Sequence, residues 1–248
     1  MMTFSSRHDR LAFWALVLMF FDHLAFLAGP WLGPWAELAR LPGRFCMPAF
    51  ALMAALGASG PKGRAHDYLR RLVLLAMVSE LPYWLLFHEH VNAVFALAVG
   101  VAALVLFREG ALYAALGVLA VFAAVCVVLG AGFESIYALL VVFLGWRAFP
   151  PALVMALALA ALLNPPLHVF ASATVFFMLW ALYGPLPPAP RLPRAVRYAF
   201  YPVHLVLLSL GASLALLWLP ASARAVHHLV DPPSVVGHAQ VSGPRGPR

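Results

Sequence analysis

The run LAFWALVLMFFDHLAFLAG, residues 11–29, decides the class of fold. Its length matches the ~20 mainly apolar residues that a membrane-spanning helix needs. Comparable runs fill most of the 248-residue chain, which is 64% hydrophobic and only 10% charged, with a mean hydropathy of +0.91. A soluble domain is roughly 45–50% apolar and about 25% charged. The chain is therefore predicted to be an all-α, multi-pass membrane protein, and a soluble enzyme, a secreted disulfide scaffold and a disordered chain are excluded.

Charges, prolines and glycines divide the chain into nine apolar segments, and we expect nine spans, with eight or ten as the alternatives. Several middle segments are shorter than a full span, so two of them could merge or re-enter. The predicted organisation is a single transmembrane domain over residues 1–220 followed by a polar, disordered tail over 221–248. The segments lie near residues 11–29, 45–59, 72–88, 92–107, 111–130, 133–146, 150–163, 167–183 and 197–219.

The positions of lysine and arginine predict a cytoplasmic N-terminus. With nine spans, eleven of the sixteen Lys and Arg residues lie on the inner side. This bias accounts for the net charge of +7 without a nucleic acid partner, which we do not expect. Because many spans follow it, the first segment is expected to be a retained helix rather than a signal peptide. The residues predicted inside are Arg7, Arg10, Lys62, Arg64, Arg70, Arg71, Arg108, Arg147, Arg191, Arg194 and Arg197.

Ionisable residues within the apolar segments are candidate site residues, because each costs a few kcal/mol at mid-bilayer. Asp22 and His23 lie toward the outer end of the first segment. An apolar helix has little other reason to carry both, so a functional role is favoured. Arg44 opens the second segment at a similar depth, and it either pairs with Asp22 or extends toward lipid headgroups.

Glu80 lies deep in the third segment, close to Pro82. A structural hydrogen bond and a proton-accepting role are equally compatible with its position. Asn92 and His168, at the outer ends of later segments, are interpreted as helix caps or solvated ends. Glu134, with Tyr137 in the same first turn, is interpreted as an acidic residue at a helix N-terminus.

His204 lies about two turns into the last segment. A single histidine is usually a packing residue, but Tyr198, Tyr201 and Pro202 cluster with it and favour a site. Proline at 202 removes a backbone donor and loosens the helix just before the histidine.

No familiar soluble-enzyme motif is present. The sequence contains no serine elbow, Walker loop, dinucleotide glycine signature or zinc pair on one helix face, and we expect no bound metal. Cys46 and Cys126 have neither metal-site nor disulfide spacing and are expected to fill space in the core. Histidines and carboxylates in helices, with basic residues at the inner ends, fit either group transfer or proton-coupled transport.

Five motifs in order resemble the TraX family of conjugative plasmid proteins. The resemblance covers roughly residues 10–107 and 194–210, with a weaker part from Glu134 to Trp146. The motifs are FFDHLAFL (20–27), GRFCMPAFALMAALG (43–57), YLRRLVLLAMVSELPYWLLF (68–87), NAVFALAVG (92–100) and YAFYPVHL (198–205).

Two positions depart from the pattern of that family. A basic residue is expected at Ala12, for which Arg10 is the nearest candidate, and Ala96 stands where the family tends to have threonine. The positions that match are Asp22, His23, Gly43, Arg44, Pro48, Arg71, Ser79, Glu80, Pro82, Asn92, Tyr201, Pro202 and His204.

The resemblance implies a bacterial inner-membrane acetyltransferase that uses acetyl-CoA and acts on the N-terminus of a pilin or a related amine or hydroxyl acceptor. The implied catalytic group is His23 as nucleophile or general base, with Asp22, Arg44, Glu80 and His204 as further site residues. His204 is expected nearer the cytosolic face, too far from His23 for both to share one site. The phosphates of acetyl-CoA are expected at the inner basic residues Arg70, Arg71, Lys62, Arg64 and Arg197, with Arg194 beside them.

Two alternatives remain open. A secondary transporter would use Asp22, Glu80 and His204 as a proton path, although no internal repeat is visible. A non-catalytic membrane component of a conjugation system would need neither acetyl-CoA nor a reactive histidine.

Overall fold

The computed structural model describes residues 4–60, 62–87, 91–129, 134–145 and 189–218. All regular secondary structure within these ranges is helical, which confirms the predicted all-α class. The chain divides into two compact units, Met1–Leu210 and Gly211–Arg248. All contacts described below lie within the first unit.

Nine α-helices are described in these ranges, together with two short 3₁₀ turns, Gly33–Trp35 and Leu41–Phe45, in the connection after the first helix. The helices are α1 (Phe4–Leu27), α2 (Gly29–Leu32), α3 (Ala36–Arg40), α4 (Cys46–Ala58), α5 (Lys62–Phe87), α6 (Ala93–Arg108), α7 (Leu112–Val128), α8 (Glu134–Gly145) and α9 (Arg194–Trp218).

Within the part of the chain that the structure describes, three helical stretches are long and apolar enough to cross a membrane: Asp9–Leu27, Leu38–Ala58 and Arg194–Leu214. Shorter apolar helices cover Ala93–Arg108 and Leu112–Val128. Large apolar side chains are exposed on several helices, which is typical of helix faces that contact lipid. They include Leu74, Met77, Val78 and Leu81 on α5, Tyr113, Val121 and Val128 on α7, and Val203, Leu207 and Leu210 on α9.

Helices occupy seven of the nine predicted segments, while segments 150–163 and 167–183 lie outside the described residues. The largest difference in boundaries is at α5, which begins at Lys62 rather than near residue 72. The prediction marked where the apolar run begins, but the polar residues before it continue the same helix. The count of nine spans and the direction of the chain stay predictions.

Small residues let the helices pack closely. Gly100 of α6 lies against α8, where an added Cβ would come within 2.6 Å of the carbonyl oxygen of Ala138. Close backbone approach at small residues is the usual way that helices associate in membranes. Cys46 and Cys126 are both buried, in agreement with their predicted packing role.

Candidate active site

A pair of buried histidines joins α1 to α9. Nδ1 of His23 lies 2.8 Å from Nε2 of His204, although the two residues are 181 positions apart in sequence. Only 9% of His23 and 4% of His204 is exposed. The expectation that the two histidines lie too far apart for one site is therefore wrong.

That expectation came from the positions of the histidines along their segments, with His23 toward the outer end of the first and His204 about two turns into the last. An ion pair between Asp9 and Arg197, 2.7 Å long, joins the same helices nearer their N-terminal ends. His23 follows Asp9 by about 20 Å of helix, whereas His204 follows Arg197 by about 10 Å, at 1.5 Å per residue. The two contacts therefore lie at unequal intervals along the two helices, a relation that a single sequence does not show.

Aromatic rings surround the histidine pair. The ring of Phe87 lies 5.0 Å from that of His23, centroid to centroid, and the ring of Phe200 lies 5.0 Å from that of His204. Tyr201 is 6.4 Å from His23 and 5.6 Å from His204. Phe20 completes the enclosure at 6.4 Å from His204. The pair is therefore held in an apolar setting with little room for bulk water.

A cavity of about 770 Å³ approaches the pair. Among the described residues, four arginines from α5 and α9 contribute to its lining, as do Asp9 and Asp67, and Met and Leu side chains make up much of the remaining wall. Such a cavity is large enough for a drug-sized ligand. The arginines are Arg64, Arg71, Arg194 and Arg197, and the apolar wall includes Leu16, Met19, Met47, Phe50, Met53 and Leu97.

Both histidines continue helix faces that line this cavity. On α1 the lining residues recur at three- and four-residue intervals, so they share one face, and His23 stands one turn beyond the last of them, Met19. On α9 His204 follows the lining residue Tyr201 by three positions. Met19 and Tyr201 are therefore the lining residues of α1 and α9 that come nearest in sequence to the histidine pair. The α1 face consists of Asp9, Ala12, Leu16 and Met19.

The structure separates the predicted phosphate-binding residues. Arg64, Arg71 and Arg197 line the cavity, and Arg194 joins them. Arg70 is exposed on α5 and is not among the lining residues of the described chain. The side chain of Lys62 lies outside the described residues.

Asp22 pairs with Arg40, whose Nε lies 3.4 Å from Oδ1 of the carboxylate. Sequence reasoning proposed Arg44, whose side chain lies outside the described residues, and it missed Arg40 four positions earlier in the same connection. Arg40 also lies over the ring of Phe26, 5.1 Å from its centroid. Gly43 packs so tightly on Asp22 that an added Cβ would overlap the aspartate side chain. Asp22 is thus fixed by the connection between α1 and α4.

Glu80 is joined to Asn92. The side-chain amide of Asn92 donates to Oε2 of Glu80 over 2.6 Å and to the carbonyl of Ala76 over 3.0 Å. Its Oδ1 accepts from the backbone N–H groups of Val94 and Phe95, which makes it the N-cap of α6. The cap predicted for Asn92 is confirmed.

Two further helix ends were predicted, at His168 and at Glu134. His168 lies outside the described residues. The helix beginning predicted at Glu134 is confirmed, since α8 begins there, but the side chains of Glu134 and Tyr137 lie outside the described residues. Within the described part of the chain, no three His, Cys, Asp or Glu residues come together in a way that could hold a metal ion.

The fold and the site define a class: a helical membrane protein with two hydrogen-bonded histidines beside a cavity lined by four arginines. This chain belongs to the TraX family, whose family model, described as TraX protein, matches residues 7–211. The family indicated by the five sequence motifs is therefore confirmed. No curated protein and no solved structure matches the chain.

Proposed function

We propose that this TraX family protein is an inner-membrane acetyltransferase that moves an acetyl group from acetyl-CoA to an amine, such as the N-terminus of a pilin. The observation that carries the proposal is the cavity, which has arginines at its lining and the histidine pair one turn beyond its last residues on α1 and α9. A ligand with phosphates at one end and a reactive thioester at the other matches that order of groups.

Charge and polarity along the cavity support acetyl-CoA as the donor. Arg64, Arg71 and Arg197 can bind phosphate oxygens through paired N–H groups. The Met- and Leu-rich wall suits the less polar pantetheine arm. Met19 and Tyr201 line the end of the cavity from which the thioester would reach His23, one turn beyond Met19 on α1.

The chemical step is a direct acyl transfer assisted by His23. The acceptor enters as an ammonium ion and loses one proton, and the free amine then attacks the thioester carbonyl carbon. A C–N bond forms as the C–S bond breaks. Nε2 of His23 accepts the second proton from nitrogen and returns it to the CoA thiolate, so that the products are the acetyl amide, CoA–SH and one released proton.

The predicted topology places the two substrates at the two ends of this site. A cytoplasmic N-terminus, nine spans and a single domain over residues 1–220 would turn the arginines toward the cytosol, where acetyl-CoA is found. The Asp22–Arg40 ion pair would then lie toward the outer face, where the N-terminus of a processed pilin is expected. The polar tail 221–248 has no role in this scheme.

A proton-coupled transporter is the second candidate, but the contacts of its proposed proton path favour structural roles. Asp22 is paired with Arg40, and Glu80 accepts from Asn92. A scaffold protein without activity does not require a ligand-sized cavity, so the cavity favours an enzyme over a scaffold.

The first experiment is a binding measurement on the purified protein in detergent, with acetyl-CoA and acetylpantetheine as probes. We expect acetyl-CoA to bind and Arg71→Gln to weaken it about tenfold or more, without a matching loss for acetylpantetheine, which has no phosphates. Arg70→Gln removes the same charge from the next position on α5, outside the cavity, and should weaken binding less. Absence of acetyl-CoA binding, or equal losses for the two variants, would contradict the proposal.

A further inference from the structure

The backbone fixes which nitrogen of His204 carries a proton. Nδ1 of His204 lies 2.8 Å from the carbonyl oxygen of Phe200, one turn earlier on α9. A carbonyl oxygen can only accept, so Nδ1 must be the N–H donor. Neutral His204 therefore keeps a lone pair on Nε2, the atom that faces His23.

The lone pair on Nε2 of His204 in turn fixes the tautomer of His23. Because the two nitrogens are 2.8 Å apart and Nε2 of His204 accepts, Nδ1 of His23 must donate. The ring planes differ by only 7°, and their centroids are 5.0 Å apart. Stacked rings cannot approach closer than about 3.5 Å, whereas these two nitrogens are 2.8 Å apart, so the rings meet edge to edge. The Nδ1–H bond of His23 then points along the lone pair on Nε2 of His204.

The pair has four ring nitrogens, and the fourth is Nε2 of His23. Phe200, His204 and Nδ1 of His23 form a continuous chain of donors and acceptors. Among the hydrogen bonds of the described residues, none uses Nε2 of His23. That nitrogen carries the lone pair that a general base or nucleophile requires.

We infer that His204 is a positioning residue that holds His23 in the tautomer with Nε2 as the reactive nitrogen. This inference rests on the proposed acetyl transfer for its catalytic meaning. His204 takes the place that a carboxylate often occupies behind a catalytic histidine, but without adding a negative charge to the apolar site. When Nε2 of His23 accepts a proton, its Nδ1–H bond to His204 becomes charge-assisted and stronger.

The tautomers can be measured directly by NMR on the full-length protein with ¹⁵N-labelled histidine in lipid nanodiscs. His23→Gln and His204→Gln each remove one set of signals and so assign the pair. We expect both rings to be protonated at Nδ1 and not at Nε2. An Nε2–H signal from either histidine would overturn the inference, whether or not the protein transfers acetyl groups.

Two amide substitutions separate positioning from packing. In His204→Gln the side-chain oxygen can reach the place of Nε2 and accept from His23, whereas in His204→Asn the shorter amide reaches only the place of Nδ1. We expect kcat for acetyl transfer within about tenfold of wild type for Gln, and a loss of about 10²–10³-fold for Asn, with KM for acetyl-CoA little changed in both.

Equal losses in the two variants would contradict the positioning role. A wild-type protein that transfers no acetyl to any amine would refute the proposed function instead, and the NMR measurement would still decide the tautomers. The two failures are therefore distinguishable.

Discussion

Two buried polar pairs in this protein have opposite characters. Asn92 joins α6 to Glu80 of α5, only 12 residues away, and its side chain uses both its amide donors and its oxygen within the fold. His23 and His204 join helices from opposite ends of the chain, and Nε2 of His23 enters no hydrogen bond among the described residues. The first pair lies at a helix beginning, and each histidine of the second pair lies one turn beyond a residue that lines the cavity.

The difference shows how a structural role can be distinguished from a catalytic role among polar residues buried in a membrane protein. A buried polar group must be hydrogen-bonded, and a pair that satisfies itself entirely has nothing left to offer a substrate. A pair that fixes its own geometry and keeps one lone pair is suited to catalysis.

The largest effect is expected from His23→Gln. Loss of the reactive nitrogen should lower acetyl transfer by about 10²–10⁴-fold, the usual contribution of a general base, while the protein still folds and inserts. The assay is transfer from labelled acetyl-CoA to an amine or pilin acceptor in isolated membranes. His66→Gln, an exposed histidine next to Glu109, is the matched control and should retain activity. Full activity of His23→Gln would remove His23 from catalysis.

Asn92→Ala should act on stability instead of chemistry. It removes the cap of α6 and the amide that donates to the carbonyl of Ala76 and to Glu80, at a cost of about 2–4 kcal/mol. Thermal unfolding in detergent measures the loss. Asn92→Ser keeps a capping oxygen and should lie between wild type and alanine. If alanine unfolds at the wild-type temperature, the structural assignment of this pair is wrong.

Arg197→Gln should have a smaller effect, which we expect on the affinity for acetyl-CoA and not on kcat. The change removes a phosphate partner at the cavity and also leaves Asp9 without its 2.7 Å ion pair. We expect acetyl-CoA to bind about tenfold to a hundredfold more weakly, with kcat at saturating acetyl-CoA close to wild type. Isothermal titration and saturation kinetics test the two parts. A large fall in kcat with unchanged binding would place Arg197 near the reacting atoms.

Glu80→Gln should be the mildest change. Oε2 of Glu80 accepts from Asn92, and the oxygen of a glutamine can accept in the same way. Stability is expected to change by about 1 kcal/mol or less, and acetyl transfer should remain near wild type. A proton path through Glu80 predicts the opposite, because glutamine carries no ionisable proton. Loss of solute flux in liposomes on this substitution would favour the transporter.

The sequence predicted the seven long helices of the described residues, though not the beginning of α5, because most of their boundaries have a local cause. Apolar runs end at charges, prolines or a capping residue such as Asn92, and these signals need no knowledge of neighbouring helices. Individual site candidates were found in the same way, since an ionisable residue in an apolar helix is conspicuous. His23 and His204 were both identified, but only as separate residues.

Relations between helices could not be predicted. The pairing of His23 with His204 depends on tilt and stagger, and the choice of Arg40 for Asp22 depends on how the connection after α1 folds back. Arg70 and Arg71 look alike in sequence, yet only Arg71 is among the residues that line the cavity within the described chain. Each of these facts depends on the orientation of a helix, which a single sequence with uniformly apolar faces leaves undetermined.

The most direct test of the account is a structure of the wild-type protein with a non-reactive thioether analogue of acetyl-CoA. We predict phosphates against Arg71 and Arg197, and the acetyl carbonyl close enough to Nε2 of His23 for an amine to fit between them. Tyr201, which lies next to both histidines and also lines the cavity, marks the end at which we expect that carbonyl. An analogue bound elsewhere, with its carbonyl away from His23, would contradict the assignment of this site to acyl transfer.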